Sequence, residues 1–236
     1  DVERSRGLGD VYKRQLELRG SGVGLRALLA RATGLDASAS VRLRQHDSDQ
    51  TEVFVTTPFE VVASRRVDGV VGRDGAVVSA QALLDALRTS PDPEVTGSPV
   101  VLKLGPARDP SWPGALPPAD GFREIDSLPV GVVRELADQG QQLARQFSGP
   151  MGPPSSLLNQ PVITVESTPG EESEVAAQKV EIPMRMIFAC TNLGLIPGFA
   201  APMDVPRHLR VAGKGRWVRV DAPFGSVYHS TRLSLF

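Results

Sequence analysis

The chain has 236 residues, of which 41% are hydrophobic and 22% charged, and its formal net charge is −1. This composition is typical of a folded globular protein and excludes an intrinsically disordered chain. The near-zero charge excludes a general electrostatic attraction to nucleic acid or acidic lipid. The single cysteine, Cys190, excludes an intramolecular disulfide and a cysteine-rich metal site.

The first fifteen residues, 1–15 (DVERSRGLGDVYKRQ), are similar to a translated sequencing-adaptor peptide of the kind found at the ends of metagenomic reading frames. We interpret this segment as a non-native leader; the alternative is a native basic leader. It contains no charged start followed by an apolar core, so no secretory signal is predicted. We expect a cytoplasmic protein.

Residues 16–90 predict a first α+β unit, because apolar residues alternate in the short stretches and recur at helical spacing in the longer ones. Asp74-Gly75 predicts the tip of a hairpin. The predicted elements are strand, helix, two strands, a third strand, the hairpin and a helix: Leu16–Arg19, Val23–Ala32, Val41–Arg44, Glu52–Thr56, Phe59–Ser64, Val70–Val78 and Ala80–Leu87.

Residues 91–125 form a proline-rich bridge, with eight prolines between 91 and 118 and one short predicted strand, Val100–Leu104. Trp112 either anchors this bridge to the protein or provides an exposed platform for a ligand. Residues 126–175 predict a linking helix and strand. Here Asp126-Ser127 caps a helix that contains Pro129 in its first turn and runs to Phe147.

Residues 176–236 predict a second α+β unit with the same order of strand, helix and strands. The pattern V-x-V-x-x-P-F-x-x-V occurs at both 53–62 and 218–227, identical at five framework positions. We therefore predict an internal duplication; the alternative is a chance match of two valine-rich strands. The predicted fold class is α+β: two related helix-plus-antiparallel-sheet units, joined by the proline-rich segment and a helix.

The uncharged span 186–203 is long enough for a membrane helix. Its prolines would leave backbone groups unsatisfied in lipid, so we predict a buried helix followed by a loop, and no membrane partner.

The sequence assigns no catalytic residue, metal site or cofactor. The glycine-rich turn 19–24 lies between a strand and a helix, but it lacks the spacing and the lysine of a phosphate loop. It is either a tight turn or a helix N-terminus that binds an anion. The three histidines have no metal-ligand spacing, and no G-x-S-x-G motif is present. Whether the protein is an enzyme stays open.

One charge asymmetry points to a partner. Residues 180–236 contain seven Lys or Arg and three acids, which gives +4. Because Val218 and Val220 are expected to face the core, neighbouring side chains form an outer basic and aromatic surface. The candidate binding residues for a protein or nucleic-acid partner are Arg210, Trp217, Arg219, Tyr228 and His229. The alternative is an ordinary sheet face that the proline-rich bridge or the linking helix covers.

Our leading hypothesis is thus a non-enzymatic binding or scaffold protein. The alternative is a small-molecule-binding protein or an enzyme with its site between the two units, lined by Arg145, Ser148 and the loop 149–154.

Several longer segments carry a family resemblance: 107–122 (ARDPSWPGALPPADGF), 145–154 (RQFSGPMGPP), 197–202 (PGFAAP) and 208–230 (HLRVAGKGRWVRVDAPFGSVYHS). With them, residues 16–236 resemble a conserved family of uncharacterised actinobacterial proteins. The resemblance implies a high-GC Gram-positive origin and a cytoplasmic protein, and it brings no known activity.

Overall fold

The structure is a computed structural model that describes residues 14–147, 153–166 and 179–231. Most of the predicted leader, 1–13, lies outside these residues, and Gln15 begins the first strand. The chain divides into two compact units: one comprises the chain through Pro58 together with Val62–Ala115, and the other comprises Phe59–Val61 and the chain from Leu116 onward. Both are α+β, with helices on antiparallel sheet, which confirms the predicted fold class.

The first unit is built on one antiparallel sheet. Its strands follow the order β5-β2-β3-β4, while β1 pairs with the end of β4 and β6 pairs with β1. The elements are β1 (Gln15–Leu18), α1 (Val23–Leu35), β2 (Ser40–Gln45), β3 (Gln50–Thr56), β4 (Val62–Val71), β5 (Val77–Ser79), α2 (Ala80–Thr89), α3 (Pro93–Thr96) and β6 (Val100–Lys103).

Helices α1 and α2 cover this sheet with leucines and alanines at helical spacing, and these side chains are at most 5% exposed. Gly69 lets β1 approach β4, because a Cβ there would lie 2.5 Å from the backbone oxygen of Glu17. Trp112 is 8% exposed, so it anchors the proline-rich bridge rather than presenting an open ring.

The predicted hairpin over Val70–Val78 is wrong. A turn does lie at its centre, with Gly75 at φ +75°. However, β4 continues through Val71 and pairs with β1, while β5 pairs with β2, where Val78 lies opposite Val41. The physical reason is that each segment completes a different open strand edge, and the local sequence does not encode that choice.

The strands of the second unit run antiparallel in the order β7-β10-β11-β12, called here the second sheet, and β8 and β9 form a separate pair. The elements are β7 (Arg123–Pro129), α4 (Val130–Phe147), α5 (Ser155–Asn159), β8 (Pro161–Glu166), β9 (Lys179–Pro183), α6 (Met184–Asn192), β10 (His208–Lys214), β11 (Trp217–Ala222) and β12 (Gly225–Ser230).

The linking helix begins later than predicted. Residues 123–129 form strand β7, which pairs with β10 and places Leu128 opposite Leu209. Pro129 is therefore the last residue of a strand, where its missing N–H is tolerated, and not a first-turn helix residue. Helix α4 packs on α6 at Gly140, where a Cβ would lie 2.7 Å from the sulfur of Met184.

Helix α6 holds a buried arginine, Arg185, which is 4% exposed. Its Nη1 donates to the backbone oxygen of Phe59 at 3.0 Å and to Glu60 Oε2 at 2.9 Å, and its Nη2 donates to Asn159 Oδ1 at 2.5 Å. The Phe59 ring lies 6.0 Å from that of Phe188. Arg185 therefore fixes the Phe59–Val61 segment and α5 onto α6.

Helix α6 is short, and it accounts for only the start of the uncharged span 186–203. The rest of that span is loop after Asn192. Among the residues that the structure describes, no helix is long and apolar enough to cross a membrane.

The two duplicated hairpins differ in register by one residue. Between β3 and β4 the connection is 57–61, whereas between β11 and β12 it is only 223–224. Counted between equivalent pairs, the difference is one residue: Val55 pairs with Ala63 across seven residues, while its sequence counterpart Val220 pairs with Val227 across six. Past the turn, therefore, residues aligned by sequence do not occupy equivalent positions.

Candidate partner-binding face

The predicted face lies on the outer side of the second sheet. Val218 and Val220 of β11 are 6% and 2% exposed and face inward. Arg219 and Asp221 alternate with them and therefore face outward. Strand pairing places Arg210 of β10 opposite Asp221.

A polar cluster occupies the centre of this face. Arg219 Nε donates to Asp221 Oδ2 at 3.0 Å, and Ser226 Oγ donates to Asp221 Oδ1 at 2.6 Å. The side chains of Arg219 and Asp221 are 21% and 15% exposed. Both carboxylate oxygens are thus engaged, and Asp221 serves as the counter-ion that orients Arg219.

The end of the proline-rich bridge covers part of this face. The guanidinium carbon of Arg219 lies 4.6 Å from the ring centre of Phe122, and the Phe122 ring meets that of Tyr228 edge-on at 5.9 Å. Next to them, Lys214 Nζ donates to the backbone oxygen of Asp120 at 2.7 Å. The sequence left open whether the proline-rich bridge or the linking helix would cover this face. The end of the bridge lies there, and Tyr228 is only 3% exposed.

The five predicted site residues do not form one surface. Arg219 and Tyr228 are directly opposite each other and share Phe122. Arg210 is on the same side and exposed. Trp217 is at the far end of β11 and half-buried. His229 pairs with the inward-facing Val218, so the sheet places it on the opposite side from Tyr228.

Sequence reasoning missed Phe122 and the role of Ser226 in this cluster. Phe122 lies in a segment without periodicity, so nothing in its local pattern indicates which surface it covers. Ser226 was detectable, because Asp221 and Ser226 are cross-strand partners one pair beyond the two-residue turn 223–224. Hairpin geometry brings such residues together.

The glycine-rich turn before α1 is already occupied by an acid of the chain itself. Asp92 Oδ2 accepts a hydrogen bond from Gly22 N at 3.1 Å, and Asp92 Oδ1 accepts one from Glu94 N at 3.0 Å. The adjoining cavity, bordered by Leu18 and Leu87, has a volume of about 10 Å³, enough for one water. The Asp92 carboxylate therefore occupies the position before α1 at which an external anion would bind.

Other candidate chemistry is limited. Within 14–147, 153–166 and 179–231, no group of three or more His, Cys, Asp or Glu side chains is arranged to hold a metal. Burial raises the pKa of the Cys190 thiol to about 12. Of the alternative small-molecule site, Ser148 and residues 149–152 lie outside the described part of the chain.

Two family models match the chain. One, described as Domain of unknown function (DUF8185), matches residues 117–234, and the other, described as Domain of unknown function (DUF8010), matches residues 13–114. The two matches meet where the compact units divide, near residue 115. None of the curated proteins compared with the chain matches it in sequence.

Solved structures with a similar fold are DNA polymerase sliding clamps. A putative DNA polymerase III beta subunit from Eubacterium rectale is 11% identical, with a TM-score of 0.55. The sliding clamps of Bartonella birtlesii and C. crescentus are 12% and 13% identical, each with a TM-score of 0.52. In all three cases 94% of this chain is covered, but only 66% of the other chain, just under two thirds. At such identities the similarity shows the fold alone.

Proposed function

We propose that this chain, which belongs to the family described as Domain of unknown function (DUF8185), is a non-enzymatic, clamp-like scaffold that binds an acidic segment of a partner protein. The binding residues are Arg210 and Arg219 on the outer face of the second sheet. The observation that carries the proposal is the exposed Arg210 beside an arginine that the protein itself holds in position. The sliding-clamp fold supports a scaffold role, since the similar proteins are named as clamps and polymerase subunits.

Arg219 is preorganised for recognition. Its ion pair with Asp221 uses Nε, and the Phe122 ring supports the guanidinium from one side. An arginine held in this way loses little side-chain entropy when it binds a carboxylate. Arg210 adds a second cation one strand away, and it has no ion pair among the described residues. Together they favour a ligand with two or more carboxylates.

The test uses a fluorescein-labelled peptide of eight glutamates as the probe and compares Arg210→Glu with Arg216→Glu. Arg216 is also exposed and lies in the same unit, at the turn before β11, so both variants change the net charge equally. Fluorescence anisotropy at low salt is expected to show at least tenfold weaker binding for the Arg210 variant only. Equal loss in both variants would mean non-specific charge attraction and would refute the proposed site.

A second candidate is direct contact with DNA through α1. This helix exposes Arg26 and Arg31 and contains no acidic residue. Binding of a 30-base-pair duplex that weakens with salt and is lost in the Arg26→Glu, Arg31→Glu double variant would support it. If the double variant binds the duplex as wild type does, α1 is not a DNA contact.

A further inference from the structure

Helix α4 carries more apolar surface than its own unit buries. Its buried residues lie on one side, where Gly140 meets α6. Beside this buried side, Val132, Leu143 and Phe147 are 42%, 43% and 67% exposed. Leu136 lies between them along the helix and is half-buried. We call these four residues the α4 stripe.

The α4 stripe runs along one side of the helix. Its residues are spaced by 4, 7 and 4 positions. With 3.6 residues per turn, they lie within about 60° of the helix circumference and extend over about 22 Å. The stripe adjoins the buried side of the helix, so the apolar face of α4 is wider than the part that its own unit covers.

The spacing of the α4 stripe is symmetric. Val132 and Phe147 are equally far from the midpoint between positions 139 and 140, and so are Leu136 and Leu143. A two-fold axis through this midpoint would pair α4 with an antiparallel copy of itself. Leu136 would then meet Leu143 of the second copy, and Val132 would meet Phe147. Two-fold dimers need a self-complementary surface of this kind.

We propose that α4 pairs antiparallel with α4 of a second copy of this chain, about a two-fold axis between Gln139 and Gly140, and that this contact buries the α4 stripe. The proposal goes beyond the proposed function, since it uses neither Arg210 nor Arg219.

Gln139 fits a position beside the axis. A side-chain amide both donates and accepts, so two copies of it can bond to each other across a two-fold axis. Its Nε2 donates to Glu135 Oε1 at 3.4 Å, which leaves its oxygen and one N–H for the second copy. A single polar residue in such a seam also fixes the register of the two helices.

The charges of α4 favour a second copy over lipid or nucleic acid. The stripe contains no charged residue, and the charged side chains of the helix lie about 90° or more from its centre. Two copies therefore meet there without a like-charge contact. A helix that binds lipid or nucleic acid needs an excess of Lys or Arg. The charged residues of α4 instead balance: Arg134, Arg145, Glu135 and Asp138.

The contact is small, so the dimer should be weak. Two helices that meet over about 22 Å form an interface of the weak, transient class, which buries less than about 1,200 Å². We therefore expect dimerisation to depend on concentration. Sedimentation velocity of the full chain between about 2 and 200 µM should show a monomer at the low end of this range and a dimer at the high end.

Leu143→Glu tests the surface. It places a carboxylate opposite the apolar Leu136 of the second copy and should weaken the dimer at least about 30-fold. Gln142→Glu is the matched control, because it adds the same charge about 110° from the centre of the stripe, and it should dimerise as wild type does. Both positions are exposed, so the melting temperature of each variant should equal that of wild type.

Cysteine crosslinking tests the two-fold axis itself. Gln139→Cys places a thiol beside the axis, where its counterpart in the second copy lies within the Cα separation of about 4.4–6.8 Å that a disulfide requires. Gln142→Cys is the control, since it is also exposed but points away from the axis. Cys190 is buried, so only the introduced thiol should react. Under mild oxidation at high protein concentration, we expect a covalent dimer from Gln139→Cys alone.

Four results would overturn the proposal. The first is a monomer at every concentration. The second is an equal dissociation constant for Leu143→Glu and Gln142→Glu. The third is equal crosslinking by the two cysteine variants. The last is binding of the chain to vesicles of phosphatidylcholine and phosphatidylglycerol that Leu143→Glu abolishes, which would assign the stripe to lipid.

Discussion

Arg185 allows a direct test of how the second unit is held together. Replacing it by Met keeps most of the buried volume and removes the guanidinium. The backbone oxygen of Phe59, in a residue only 8% exposed, then loses its donor. A buried acceptor without a donor costs about 1–3 kcal/mol. Asn159 is exposed, so water replaces its lost bond at little cost.

The ion pair with Glu60 should contribute much less. The Glu60 side chain is 67% exposed, and an ion pair with one partner so accessible contributes about 0–1 kcal/mol. Removal of the guanidinium also removes a buried Nε that has no hydrogen-bond partner, which offsets part of the loss. We therefore expect Arg185→Met to destabilise the second unit by about 2 kcal/mol and Glu60→Gln by less than about 0.5 kcal/mol.

The assay is urea unfolding followed by tryptophan fluorescence. In a Trp112→Phe background, Trp217 is the remaining tryptophan and reports on the second unit alone. The free energy of unfolding of each variant is compared with that of this background. A Glu60→Gln effect as large as that of Arg185→Met would show that the ion pair, and not the bond to the backbone oxygen, holds the segment, and our reasoning would be wrong.

Three further predictions concern stability and reactivity. Gly69→Ala brings a Cβ against the backbone oxygen of Glu17 and should lower the free energy of unfolding by at least about 2 kcal/mol. Gly34 is a helical residue with open space around it, so Gly34→Ala should raise the free energy of unfolding by up to about 1 kcal/mol. Urea titrations distinguish the two, and equal effects would contradict the close strand approach. The hydrogen bond from the side chain of Arg73 lowers the pKa of Asp109. The stabilising effect of this hydrogen bond is therefore present above the ordinary aspartate pKa and is lost as the pH falls through the lowered pKa of Asp109. Asp109→Asn should lower the melting temperature at pH 7, and the melting temperatures of the variant and the wild type should become equal in acid. A difference in melting temperature that stays constant across pH would refute this. Cys190, whose thiol pKa is raised by burial, should react with Ellman's reagent at pH 8 only when urea unfolds the second unit, and fast reaction of the native protein would show that the thiol is accessible.

The sequence predicts the local elements well where periodicity is strong. The alternation around Val218 and Val220 correctly indicates which residues of β11 face the core, and the apolar spacing correctly locates α1. It fails where a segment's partner is distant in sequence. The pairing of β5 with β2 depends on an open strand edge, and a single-chain pattern does not reveal which edge is open.

In the candidate face, too, the sequence predicts what depends on local pattern and misses what depends on distant segments. Arg219 is correctly placed on the outer side of the sheet, because strand alternation is a local property. The same rule implies that Tyr228 and His229, as consecutive strand residues, face opposite sides. Phe122 was not predictable, because its position over Arg219 depends on the path of an irregular segment about a hundred residues earlier.

The unequal turns of the two hairpins have an evolutionary consequence. The longer turn, which contains Glu60 at φ +56°, shifts every later residue of β4 by one position relative to its sequence counterpart in β12. Ser64 thus occupies the place that Tyr228 takes in the second copy. A single codon gained or lost in such a turn exchanges the inner and outer faces of a whole strand at once. Two copies of one ancestral hairpin can therefore acquire different exteriors through one insertion, without a series of substitutions along the strand.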